Sequence, residues 1–142
     1  MEAHELQQQV RQFIRRFGLL DQKHTPCGQP LPTSQAHALQ LLGQYERLTQ
    51  QELAAHLNLE KSTISRLVKQ MVQRGWIQKS SSAHDRRAAI LALSPDGQAV
   101  LSQVQDASAS KFQKIWDHIP SERHSQVVEA LEVLVAAASR ME

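Results

Sequence analysis

Within nine residues the chain places Lys61, Ser62, Thr63, Ser65, Arg66 and Lys69, with Gln70 next in line. On a helix these fall opposite Ile64, Leu67, Val68, Met71 and Val72, whose spacing of i, i+3, i+4, i+7 and i+8 marks one apolar face. Hydroxyls, a guanidinium and ammonium groups on one surface suit hydrogen bonding to base edges and ion pairing with phosphates. A second basic set, His84, Asp85, Arg86 and Arg87, closes a loop from Ser80 with no apolar residue larger than alanine. Residues 61–87 hold seven Lys or Arg against one acid, +6 in 27 residues, which leaves −4 for the rest of a chain whose net charge is +2. Positive charge so concentrated fits a surface that replaces the counterions of a nucleic-acid backbone. A solvated helix face is the plainer explanation of a basic stripe, but it does not account for the adjoining tight turn and basic loop.

Catalytic frameworks are absent from the sequence. There is no H-E-x-x-H, no C-x-x-C pair, no G-x-S-x-G and no glycine-rich phosphate loop among five glycines, so neither an enzyme nor a cofactor is expected. The single cysteine, Cys27, cannot build an internal disulfide framework, which fits a reducing compartment. No charged-then-apolar leader and no apolar run of membrane-spanning length occurs, so a soluble, cytoplasmic protein without a membrane partner is expected.

The elements that must position the basic face are legible around it. Thr49 and Glu52 form a T-x-x-E capping box that starts a short helix with Leu53, Ala54 and Leu57 on its apolar edge. Asn58-Leu59-Glu60 suits an interhelical turn, a second helix begins near Lys61, and Gly75 supplies the left-handed residue that ends it. Trp76 to Lys79 and Ala88 to Leu93 are predicted strands flanking the charged loop. The expected fold is mainly α with a small β-hairpin wing, a winged helix-turn-helix. Upstream, Glu2 to Asp21 carries a helical stripe of Leu6, Val10, Phe13, Ile14, Phe17 and Leu20. Prolines and glycine mark Gln22 to Pro32 as a loop, and Thr33 or Ser34 is expected to cap a helix over Gln35 to Gln44. Downstream, a long helix is predicted from Pro95 to about Asp117 and a last one from Pro120 or Ser121, with Val127, Val128, Leu131, Leu134, Val135 and Ala138 in a broad stripe. At 142 residues a single domain is expected, with 33–94 as the winged helix-turn-helix and 1–32 and 95–142 as a helical dimerisation region built from both termini. Its terminal helices expose apolar sides that a twofold partner would cover, and such a homodimer would select a pseudo-palindromic double-stranded DNA site.

Asp85-Arg86-Arg87 followed by Leu93-Ser94-Pro95-Asp96-Gly97 resembles the D-x-R…L-(T/S)-x-x-G signature that follows the recognition helix in MarR-type transcriptional regulators. Ser34 to Leu42, the Leu53 to Leu59 turn and Ser65-Arg66-Leu67-Val68 extend the similarity over most of the chain. Ser94 stands where Thr is usual and keeps the hydroxyl cap, and Pro95 takes a helical position that tolerates it. The resemblance implies a homodimeric repressor that leaves DNA when a small, often phenolic ligand binds between the dimer lobe and the winged domain. It also implies that Arg87 lies over the minor groove, its guanidinium oriented by Asp85, with Arg86 and His84 near phosphate. Ser62, Thr63, Ser65, Arg66 and Lys69 are then expected in the major groove, with Lys61 and Gln50 on phosphates.

Two sensing variants of the same fold are suggested by relatives. Some use a cysteine thiolate inside the first helix with tyrosine partners; here Cys27 sits in a proline-rich loop and Tyr45 is the sole tyrosine, so an inert thiol is expected. Some zinc-responsive relatives place ligands where Asp21, His24, Cys27 and His37 stand. The set is incomplete, because Gln103, Gln105 and Asp106 occupy positions where those relatives add histidines, and His37 is expected in a core or capping role. His118 and His124 are expected to face solvent. A third class, a winged helix that binds only protein, would need aromatic or apolar anchors on the recognition face, and none stands there.

Overall fold

The structure is a computed structural model that describes residues 2–81 and 89–141. The loop candidates His84, Asp85, Arg86 and Arg87 lie outside the described residues. The chain forms two compact units, Met1–Ala107 and Ser108–Glu142.

In the first unit, α1 (Ala3–Phe17) is followed by α2 (Thr33–Tyr45), β1 (Leu48–Thr49), α3 (Gln50–Leu57), α4 (Lys61–Gln73), β2 (Ile77–Ser81), β3 (Ala89–Leu93) and the start of α5 (Pro95–Asp117). The strands form one antiparallel sheet in the order β1-β3-β2, with Leu48 opposite Leu91 and Ile77 opposite Leu93. The predicted hairpin is thus joined by a third strand, two residues long and too short to leave a period-2 signal. Leu39 and Leu42 of α2, Leu53 of α3, Ile64, Val68 and Met71 of α4 and Leu91 of β3 close into one core. Four of the five apolar positions predicted for α4 are buried, but Val72 is 38% exposed, at the rim where the stripe drifts off the contact.

Helix ends follow local chemistry. Gly18, the residue that breaks the Glu2 to Asp21 stripe, ends α1 at Phe17 with φ 96 and donates its N–H to the Ile14 carbonyl. Neither Thr33 nor Ser34 caps α2: Pro32 is the N-cap, its carbonyl accepting from the Gln35 and Ala36 amides, and Thr33 is the first helical residue. Glu46, at φ 66, then turns the chain sharply into β1, with the Arg47 amide donating to the Tyr45 carbonyl at 2.7 Å.

The Leu93-Ser94-Pro95-Asp96-Gly97 run is a clasp between the end of α4 and the start of α5. The Ser94 hydroxyl donates to the Gly75 carbonyl and accepts from the Gly97 amide, while the Ser94 amide donates to the Trp76 carbonyl at 2.9 Å. A Cβ on Gly97 would stand 2.1 Å from that carbonyl oxygen, so only glycine fits.

The second unit holds the rest of α5, a 3₁₀ turn (Ser121–Arg123) and α6 (His124–Ser139). His124 corrects its expectation. Its ring stacks on Trp116 at 3.7 Å between centroids, and its Nε2 lies 3.0 Å from the carbonyls of both Trp116 and Ile119, capping the end of α5. His118 is exposed, as expected, with Nδ1 2.7 Å from the Lys114 carbonyl. Among the described residues no helix is long and apolar enough to cross a membrane.

Candidate nucleic-acid interface

The recognition surface is set by what precedes it. The Thr49 hydroxyl accepts from the Glu52 amide and Glu52 Oε1 accepts from the Thr49 amide, both at 3.1 Å, so the capping box of α3 is complete. The bond from the Thr49 amide, assisted by the Thr49 side chain, holds the Glu52 carboxyl below its ordinary pKa. Asn58 ends α3 in the left-handed region at φ 54, and its short polar side chain tolerates that conformation. Three residues later α4 begins, packed against α3 and burying Ile64, Leu67 and Val68 in the core.

That packing leaves Lys61, Ser62, Ser65, Arg66 and Lys69 exposed on one surface, with Thr63 half-buried at its edge. No side chain caps the N-terminus of α4, so its first amides and the positive end of the helix dipole add to the field of Lys61. Gln50 is half-buried on the first turn of α3. It lies with Thr49, Gln51, Ala54, Lys61, Ile64, Lys79 and Ala89 around an open cleft of about 560 Å³ between α3, α4 and the base of the wing. Lys79 belongs to this basic rim although its place in a strand singled it out less than the residues of α4. Cations, hydroxyls and free helix amides on one surface can ion-pair with phosphates and hydrogen-bond to base edges.

The sensing candidates do not assemble. Asp21 Oδ1 accepts from the Lys23 and His24 amides at 2.8 and 3.0 Å, bonds that hold its carboxyl below the ordinary value, and His24 Nδ1 lies 3.6 Å from Asp21 Oδ2. Asp21 and His24 thus build a loop turn. Cys27 is half-buried in that loop and His37 is exposed on α2, which corrects its expected core or capping role. Among the described residues no three His, Cys, Asp or Glu side chains group around a common point.

Comparison with known proteins finds similarity to one family. The MarR family model matches residues 31–89, the stretch from the end of the first loop into β3. That match spans 59 of the 142 residues. Among curated relatives, the organic hydroperoxide resistance transcriptional regulator of Bacillus subtilis is 32% identical over 69 residues, 49% of this chain and 47% of that protein. The chain thus aligns with about half the length of the curated relatives it matches. Solved structures resemble the chain over nearly its whole length. Streptococcus pneumoniae FabT, in complex with DNA, superposes with a TM-score of 0.83 at 14% identity, covering 99% of this chain and 100% of that one. Bordetella bronchiseptica BpsR, solved in a study of how 6-hydroxynicotinic acid regulates its DNA binding, gives 0.76 at 16% identity and covers 92% and 98%.

Proposed function

We propose that the chain is a homodimeric, sequence-specific DNA-binding transcriptional regulator, a repressor that releases its operator when a small organic ligand binds. One observation carries this: a helix-turn-helix whose first helix is capped exposes Lys61, Ser62, Ser65, Arg66 and Lys69 together on a helix whose opposite face buries Ile64, Leu67, Val68 and Met71. A helix so held can enter a major groove without reordering its backbone. The DNA bound by FabT and the small acid that regulates BpsR support the same kind of partner and switch for a chain of this fold. The homodimer is supported by the apolar faces left open on α1 and α6, where Leu6, Phe13, Leu131, Val133 and Val135 are each half or more exposed.

Fluorescence anisotropy of the purified protein against the duplex upstream of its own coding sequence and a scrambled control, across a salt series, tests this. Preferential binding with a steep negative log–log salt slope is expected. Equal affinity for both duplexes at every salt concentration would overturn sequence-specific regulation at that site.

A further inference from the structure

Gln35 is a costly residue for its position. It is 3% exposed on the first turn of α2, its Nε2 donates to Gln70 Oε1 at 3.1 Å, and its own Oε1 is buried without a hydrogen-bond partner. A buried amide left half-satisfied destabilises a fold relative to an apolar side chain of similar size. Stability therefore does not account for a glutamine here. What it does in the structure is hold Gln70.

Gln70 is exposed and lies one turn beyond Arg66 and two turns beyond Thr63, within about 20–40° of both around the axis of α4. It is thus on the same stripe as the DNA-facing candidates, although no charge or hydroxyl marks it in sequence. An exposed glutamine is ordinarily spread over many rotamers, and ordering it on binding opposes affinity. The bond from Gln35 removes part of that cost in advance. It occupies one lone pair of the Gln70 amide; the second lone pair and two N–H donors remain, the set that pairs with adenine through N6–H to Oε1 and Nε2–H to N7.

We propose that Gln70 is a base-reading residue that recognises adenine in the major groove, and that Gln35 is the positioning residue that presents its amide. This rests on the DNA-binding function proposed above. Selection from a randomised duplex pool, run with the unmodified protein, Gln70→Ala, Gln35→Met and the double variant, together with the Tm of each, tests it. The unmodified protein selects adenine at one position of each half-site, and Gln70→Ala loses about tenfold or more of that preference there alone. Gln35→Met weakens the preference at the same position while its Tm is unchanged or higher, and adds nothing in the Gln70→Ala background. Gln70→Ala with all preferences intact, or weakening every sequence equally as a phosphate contact would, overturns the assignment of Gln70. Gln35→Met with a lowered Tm and full adenine preference makes Gln35 a structural strut and overturns its positioning role. Absence of any selected sequence with the unmodified protein overturns the DNA-binding proposal itself, a result distinct from the others.

Discussion

A single methyl group at position 97 has nowhere to go. The added carbon of Gly97→Ala would meet the Trp76 carbonyl oxygen, a backbone atom already held by the Ser94 amide, so relief requires parting α5 from the end of α4. We expect a loss of about 1–3 kcal/mol, read as a lower midpoint in urea unfolding, with Ser94→Ala in the same range because it strips two partners at once. Arg66 of the recognition face and Arg86, from the sequence of the loop outside the described residues, should separate by function. Arg66→Ala is expected to cost roughly 1–3 kcal/mol and to change base preference, whereas Arg86→Ala should weaken all duplexes alike and lower the salt slope. Binding of both variants to a panel of single-base operator changes checks the division, and equal losses on every duplex would refute it.

At the scale of elements, the start of α3 depends on a charge. Glu52 has its pKa lowered from 4.5 by the Thr49 amide, so its ionised form favours the folded chain. That contribution is fully present above pH 4.5 and disappears as the pH falls through the lowered folded value. Thermal unfolding of Glu52→Gln should therefore vary less with pH below 4.5 than that of the unmodified protein, with the gap closing at the acid end. Thr49→Ala should cost about 1 kcal/mol at neutral pH. The same local chemistry explains which elements were legible beforehand. The capping box, Gly75 and the Pro95 start each impose a boundary through neighbouring residues, and the helices begin or end there. Three features were missed, two of them because their partners stand elsewhere in the chain. β1 exists only because Leu48 and Thr49 pair with Leu91 and Ile90 from far along the chain. Thr33 and Ser34 have the side chains of caps, yet Pro32 enters with a backbone, φ −61 and ψ 146, that serves as N-cap first. His124 sits after a loop and next to polar residues, and nothing in that spacing tells that Trp116 and two carbonyls will surround it. In the site, charges and hydroxyls announced themselves, whereas Gln35 looked like any polar residue until its burial and its bond to Gln70 were visible.

For the whole molecule, the mass in solution turns on α6. No residue of that helix is buried, and its apolar side chains Val127, Val128, Leu131, Val133 and Val135 are between 36% and 64% exposed. Apolar surface of that extent on a helix with mean burial so low favours association, because each side chain transferred from water contributes of the order of 1 kcal/mol or more. A second copy is the partner the proposed function calls for, since one recognition helix reads half a site and two, about 34 Å apart, read a palindrome. Sedimentation equilibrium at micromolar concentration should give the mass of two chains, and the unfolding midpoint should rise with protein concentration, as it does when folding and association are linked. Leu131→Glu, which places a charge in the exposed stripe without disturbing any buried contact, should yield the mass of one chain with its helical content kept. That monomer should bind full and half operators with nearly equal, weak affinity, while the unmodified protein strongly prefers the full site. A single-chain mass for the unmodified protein would remove the homodimer, and with it the expectation of a twofold operator.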